Sequence, residues 1–260
     1  MFAKERQDKI IQMLSMKGSV ATTELIEEFR VSIETVRRDL LELERQGLLQ
    51  RVHGGAVAVG EMKAYESLPQ RLEENREAKD RLCETGAGLV AEGEILYVDC
   101  GSTAVHFAKA LACRFERLTV VTHSMEVFEI LTQKEGFQVV LCAGHYKKAE
   151  RAFYGQLALN MLRSVHVQKA FLFPAAVSLQ SGVGDFDEEL LQMQHQIMNC
   201  TDKVYFLADS EKFEKRAFLK LCDMSAKHIY VTDSGLSSNF KQLYEEKQFH
   251  VITSPEENFR

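Results

Sequence analysis

The sequence predicts two folded units of different class: a winged helix-turn-helix over residues 1–60 and a doubly wound, mostly parallel α/β domain over residues 75–260, with a linker at 61–74. Three observations carry this. Residues 1–60 hold three short helical periods followed by a strand, a Gly-Gly turn and a return strand. The stretch from Glu61 to Glu77 is polar, with Pro69 and few apolar side chains. Beyond it, short apolar runs bounded by turns alternate with amphipathic helical segments. A chain of 260 residues fits one or two domains, and 45% hydrophobic with 27% charged residues suffices for a buried core.

Lys4 to Met16 reads as a helix with Ile10, Ile11 and Leu14 on one side. Gly18-Ser19-Val20 breaks it. Thr22 or Thr23 is placed to cap a second helix that buries Leu25, Ile26 and Phe29, and a turn follows at Arg30-Val31. Ser32 is the N-cap of a third helix reaching about Gln46, which Gly47 ends. In that helix Ile33, Val36, Leu40 and Leu43 form one apolar stripe. At about 100° per residue, Arg38 and Arg45 point away from it. Glu34 and Thr35 flank Arg38, and Arg37 lies nearer the edge. Such an outward face, laid in the major groove of DNA, sets residues near the helix start against base edges, where arginine suits guanine and phosphate. Leu48 to His53 then reads as a strand, Gly54-Gly55 as a turn and Ala56 to Val59 as the return, a wing that places Arg51 and His53 for backbone phosphate. The net charge of −6 argues mildly against nucleic acid, but residues 1–60 carry nine Lys/Arg and nine Asp/Glu, so the whole deficit lies elsewhere.

A helix at about Asn75–Val90 opens the second unit. Ile95–Asp99, Leu118–Thr122, Gln138–Cys142, Lys169–Phe173, Val204–Ala208 and Ile229–Thr232 read as buried parallel strands. Ala104, Phe107, Ala108 and Leu111 give one intervening helix face; Leu190, Met193 and Ile197 give another. In such sheets ligands sit beyond the carboxyl ends of the strands. There the sequence places Asp99-Cys100-Gly101-Ser102-Thr103, His123-Ser124, Ala143-Gly144-His145 and Asp209-Ser210-Glu211-Lys212. The first set runs a strand through Gly-Ser-Thr directly into a helix, so backbone N–H groups and two hydroxyls converge at a positive helix end that suits an anion. Lys212 adds a charge from another strand end. The six cysteines include no CxxC pair and are expected reduced, mostly as small core residues. No apolar leader follows Met1, and the longest apolar stretch, around Ala170–Val177, is too short to span a bilayer. The expectation is a cytoplasmic chain with no membrane partner.

The motif VS-x-x-TVRRDL at Val31–Leu40, followed by Leu43-Glu44, Gly47 and R-x-HGG at Arg51–Gly55, resembles the DeoR family of bacterial sugar-metabolism regulators. The resemblance continues through Asp99, Gly101, Ser102 and Thr103, VVTHS at Val120–Ser124, Ala143-Gly144 and LADSEKF at Leu207–Phe213. It implies a repressor of carbohydrate-metabolism genes that binds double-stranded operator DNA as a homo-oligomer. It also implies a sensor domain, similar to sugar-isomerase folds, that takes a small phosphorylated sugar or related anionic metabolite. By the resemblance Ser32, Thr35, Arg37 and Arg38 read DNA; Thr22, Glu34, Arg51 and His53 complete the candidate interface. The candidate effector set is Asp99, Gly101, Ser102, Thr103, His123, Gly144 and Lys212. No cofactor, metal or catalytic residue is expected. The sequence departs from the family pattern at His123 (usually Asn), Ala143 (Gly), Lys169 (Asp) and Gln194 (Lys), which alters polar groups expected in the pocket.

Two other readings compete. Gly101–Ala104 also resembles the phosphate loop of ribose-5-phosphate isomerase, an enzyme family that uses an acidic cluster as proton shuttle. The corresponding strand end here is Phe173-Pro174-Ala175-Ala176, with no carboxylate pair to act as general base. A metal- or thiol-responsive regulator on the same scaffold would use Cys100, His123, Cys142 and His145 at neighbouring strand ends.

Overall fold

The computed structural model describes residues 3–17, 19–45, 48–52, 54–58 and 68–255. The chain separates into two compact units, Met1–Glu66 and Ser67–Arg260.

The first unit runs α1 (Ala3–Lys17), β1 (Ser19–Ala21), α2 (Thr22–Phe29), α3 (Ile33–Arg45), β2 (Leu49–Val52) and β3 (Gly55–Ala58). Its antiparallel sheet has the order β1-β3-β2. Ile10, Leu14, Val20, Leu25, Phe29, Val36, Leu40, Leu43, Leu49 and Ala56 form one apolar core. The break expected at Gly18-Ser19-Val20 is in part a strand: buried Val20 pairs with Ala56. Neither threonine caps α2. Its N-cap is Ala21, without a side-chain cap bond, and the Thr22 N–H donates to the Gly54 carbonyl in the wing turn at 2.7 Å. Ser32 does cap α3, its Oγ accepting from the Thr35 N–H at 3.3 Å. Arg30, in the left-handed region at φ 51°, closes α2 through a 2.8 Å bond to the Ile26 carbonyl. Ile33 leaves the expected stripe: in the first turn of α3, at the rim of the core, it is 38% exposed. Asp39 takes an inward position instead, where the Arg6 guanidinium grips it through Nε (2.8 Å) and Nη2 (3.2 Å). The expected helix end at Gln46-Gly47, His53, Val59 and linker residues 61–67 lie outside the described residues.

The second unit begins with α4 (Leu68–Glu73), a helix within the stretch read as linker, and α5 (Arg76–Ala87). Then follow β4 (Ile95–Val98), α6 (Ser102–Arg114), β5 (Thr119–Thr122), α7 (Met125–Leu131), β6 (Gln138–Leu141), β7 (His145–Lys147), β8 (Ala152–Tyr154), α8 (Gln156–Arg163) and β9 (Val167–Leu172). The rest is β10 (Ala176–Ser178), β11 (Gly182–Asp185), α9 (Glu188–Met198), β12 (Thr201–Leu207), β13 (Leu219–Cys222), β14 (Ile229–Thr232), α10 (Ser238–Glu246) and β15 (His250–Thr253). Seven strands make one parallel sheet in the order β15-β14-β12-β9-β4-β5-β6. The six expected strands are there; β15 is the addition, an edge strand whose residues are exposed or half-buried. Side chains alternate across the sheet with period two. Tyr97, Ala170, Leu172, Val204 and Phe206 face α8, α9 and α10. Leu96, Val98, Phe171, Tyr205 and Leu207 face α5, α6 and α7. The doubly wound architecture follows from these two cores. Two antiparallel additions, β7-β8 and β10-β11-β13, sit outside the main sheet. Strand order runs one way from β4 to β6 and the other way from β9 to β15, so β4/β9 is the topological switch point, where such sheets open a crevice at their carboxyl ends. No described helix is long and apolar enough to cross a membrane.

Candidate functional site

In the first unit, burial of Val36, Asp39, Leu40 and Leu43 fixes the roll of α3 about its axis. Glu34, Arg37, Arg38 and Arg45 are left exposed, Thr35 half-buried. Exposed Ser32 and Thr35 place their hydroxyl oxygens 3.0 Å apart at the helix start. Thr22 is half-buried at the start of α2. Arg51, on β2, is exposed, but its N–H donates to Glu44 Oε1 at 2.8 Å and its guanidinium lies 3.8 Å from Glu44 Oε2, so Glu44 sets its direction. His53 lies outside the described residues.

In the second unit the carboxyl end of β4 delivers Asp99, Cys100 and Gly101 to the switch point. Gly101 is the N-cap of α6 at φ +110°, a conformation L side chains rarely adopt; a Cβ built there meets nothing within 4 Å, so space lies open over the turn. Ser102 and Thr103 begin the 13-residue helix, both buried, and Thr103 Oγ1 has no hydrogen-bond partner. Lys212 ends a 3-10 turn, Ser210–Lys212, after β12, with Nζ 3.8 Å from Asp209 Oδ2. Lys79 of α5 lies near enough to Lys212 for repulsion to act; burial first, then Lys212, lowers its pKa to about 8. It donates to the carbonyls of Arg71 and Glu74.

A buried polar network surrounds Asp99. The Tyr97 hydroxyl lies 2.8 Å from His123 Nδ1 and 3.3 Å from Asp99 Oδ1, and Gln194 Nε2 donates to Asp99 Oδ2 at 2.8 Å. His123, fully buried, stacks on Tyr97 and meets Tyr154 edge-on. Burial lowers its pKa to about 3, so the ring is neutral, while burial raises Asp99 to about 7 despite the bonds from Gln194 and the Cys100 backbone. Asp185 Oδ2 accepts from the Ala175 N–H at 3.2 Å, and burial raises its pKa to about 6. The strand end at Phe173–Ala176, expected to offer no carboxylate pair, receives a single carboxylate from the β11 hairpin. Among the described residues, Gln194 Oε1, His123 Nε2 and Asp209 Oδ1 join Thr103 Oγ1 as buried polar atoms without a partner.

Other expected members lie elsewhere. Gly144 is tight packing: a Cβ there would come within 2.1 Å of the Tyr154 carbonyl oxygen on β8. Ala143 is exposed beside it. Lys169 is not in the pocket, because it sits near the amino end of β9 and binds Glu94 and the Leu89 carbonyl, each at 2.7 Å. Of the four metal or thiol candidates, Cys100 and His123 come together, with Asp99 as third: one ligand atom from each lies within 4.8 Å of the others. Cys142 belongs to the core, its thiol pushed up to about 11 by burial, and exposed His145 pairs with Glu189 at 3.0 Å. The Cys100 thiol, raised well above its ordinary value by burial and then by Asp99, is 3.3 Å from the Tyr154 hydroxyl and is no thiolate. Tyr97 was missed in the sequence although period two sets it on the same strand face as Asp99; Tyr154 and Asp185 carry no sequence signal of their own, and only folding brings them to this network.

Two family models match the chain. One, described as the DeoR-like helix-turn-helix domain, covers residues 6–61, and one described as the DeoR C terminal sensor domain covers residues 74–234. The uncharacterized HTH-type transcriptional regulator YulB of Bacillus subtilis is 31% identical over 255 residues, 98% of each chain. The transcriptional repressor AccR of Agrobacterium fabrum is 32% identical over 251 residues, 95% of this chain and 97% of that protein. The lactose phosphotransferase system repressor of Lactococcus lactis is 31% identical over 251 residues, 96% and 97%.

Proposed function

The chain belongs to the DeoR family of transcriptional regulators, and from that premise we propose that it represses carbohydrate-metabolism genes and that a small phosphorylated sugar modulates its hold on operator DNA. The relatives named as a lactose phosphotransferase system repressor and a transcriptional repressor support the class. The observation that carries the sensing half is the open turn at Gly101, where α6 starts beside an unpartnered Thr103 hydroxyl at the switch point of the sheet; the first N–H groups of a helix have no intrahelical acceptor and suit an anion. Lys212 is its charge partner. For the DNA half, Ser32, Glu34, Thr35, Arg37 and Arg38 meet the major groove, and Thr22, Arg51 and His53 meet backbone phosphate. One recognition helix reads too few base pairs for genomic specificity, so the chain binds repeated half-sites as a homo-oligomer.

The test uses the full chain and DNA fragments selected from a genomic library. A sugar phosphate at a hundred times its Kd stabilises the protein by about 2.7 kcal/mol. It changes DNA affinity by the same factor that DNA changes its own affinity. Lys212→Met removes both effects and keeps DNA binding. Light scattering gives at least twice 29.6 kDa. No response to any phosphorylated sugar sinks the sensing half, and a monomer both free and on DNA sinks the assembly. The juxtaposition of Asp99, Cys100 and His123 favours a second reading, a metal-responsive regulator. It takes over if zinc alone gives a large thermal shift that Cys100→Ala abolishes.

A further inference from the structure

We infer that the polar groups around Asp99 read neutral hydroxyl donors and reject a second anion, so that the effector is a monophosphorylated sugar or polyol rather than a bisphosphate or a phosphorylated sugar acid. This rests on the sugar-phosphate reading above and narrows it.

The argument starts from the unpartnered atoms. Gln194 gives its amide nitrogen to Asp99 Oδ2, which leaves Oε1, an acceptor, buried and unpaired. Asp209 Oδ1 is another buried acceptor without a partner. With the Tyr97 hydroxyl donating to Asp99 Oδ1, the matching His123 tautomer carries its proton on Nδ1, toward the tyrosine oxygen, and in that tautomer the unpartnered Nε2 is a third acceptor. Buried acceptors left unpaired are costly, and a site that presents three of them is matched by a ligand that brings O–H groups. Thr103 Oγ1, the fourth orphan, both donates and accepts and lies at the loop itself.

Charge points the same way. Asp99, Asp185 and Asp209 are all buried here, at 0%, 5% and 2% exposure. Burial in a low-dielectric interior already disfavours negative charge on these carboxyls, and a further anion beside them would be disfavoured for the same reason. The neighbouring cations are engaged. Lys147 lies between Asp187 (2.6 Å) and Glu189 (3.4 Å), Arg71 binds Glu150 at 2.7 Å, and Lys79 is turned to backbone carbonyls. Lys212 is held loosely, at 3.8 Å from Asp209. The α6 start and Lys212 together serve one anionic group; a second would face acceptor lone pairs and carboxylates.

The experiment is a calorimetric ranking on the full-length protein with matched probes: glucose 6-phosphate against 6-phosphogluconate and glucose 1,6-bisphosphate, fructose 6-phosphate and fructose 1-phosphate against fructose 1,6-bisphosphate, and ribose 5-phosphate, with inorganic phosphate as control. The tightest probe is expected to be a monophosphate, and its doubly anionic counterpart at least about tenfold weaker. Gln194→Lys, which adds a cation beside Asp99, narrows that gap. Gln194→Met, which removes the acceptor, weakens the monophosphate and leaves inorganic phosphate unchanged. A wild-type protein that binds a bisphosphate or sugar acid as tightly as its monophosphate overturns the inference while the sensing function stands; this ranking needs no variant. So does a Gln194→Met protein with unchanged monophosphate affinity. If no phosphorylated probe binds at all, the sensing function falls and the inference with it.

Discussion

A buried carboxyl and a buried imidazole that share the same strand ends have opposite effects on stability as pH changes. Asp99 is raised by burial to about 7, above its unfolded value, so between about pH 4 and 7 the folded state holds a proton that the unfolded chain has lost, and stability falls as pH rises. His123 is lowered by burial to about 3, so between about pH 3 and 6.5 the unfolded chain binds a proton that the folded state refuses, and stability rises with pH. The two slopes oppose each other in wild type and separate in variants. Relative to wild type, Asp99→Asn gains stability as pH rises from about 4 to 7, and His123→Asn loses it as pH rises from about 3 to 6.5. Urea unfolding of the three proteins across both ranges measures both slopes; parallel curves would contradict the burial of either group. The place of these residues at strand ends was legible in the sequence, because a short apolar run and the turn after it are local signals. Their partners were legible only in part. Tyr97 shares a strand face with Asp99 two residues on, a relation that period two records but that was missed; Gln194 was marked only through the family resemblance; and Asp185 arrives from a hairpin that no local spacing records.

The roll of α3 depends on a contact that no periodicity announces. Asp39 interrupts the apolar stripe, and Arg6 on α1 binds it in two places with both side chains under a tenth exposed. Removing Arg6 leaves the buried Asp39 carboxylate uncompensated, so Arg6→Met is expected to cost about 3–5 kcal/mol, while Arg6→Met with Asp39→Leu returns stability close to wild type. Chemical denaturation of the three proteins decides; a cost for Arg6→Met below about 1 kcal/mol would place the pair in the class of surface ion pairs. Helices α1, α2, α3, α5, α6 and α9 were readable from their apolar faces, and six main-sheet strands from short apolar runs bounded by turns, whereas α7, α8 and α10 were not named and α4 falls in the stretch read as linker. The three-residue β1, too short for alternation to register, was not readable. Nor was β15, where the exposed and half-buried residues of an edge strand carry a weak pattern. Lys169 misled for another reason: it lies on a pocket-forming strand but near the amino end, where Glu94 and the Leu89 carbonyl hold it.

The chain as a whole joins a small helical unit, whose α3 exposes Arg37, Arg38 and Arg45, to a unit built on a parallel sheet whose strand order reverses at β4/β9. The fold class of both units followed from alternation of element types, which depends on the whole pattern and tolerates local errors. The switch point itself did not, because strand order is set by which strands pair, and the sequence names the strands without their neighbours. The regulatory function requires that α3 is the surface that reads DNA. The direct measurement is the affinity of wild type and Arg38→Ala for a genomic fragment selected by wild type, by fluorescence anisotropy at several salt concentrations. Arg38 is exposed and outside the core, so the variant should unfold within about 0.5 kcal/mol of wild type. Its binding should weaken by about 1–3 kcal/mol. Wild-type log affinity should fall linearly with log salt as counterions are released. A folded Arg38→Ala protein that binds the selected fragment as tightly as wild type would contradict the assignment of α3 and the regulator built on it.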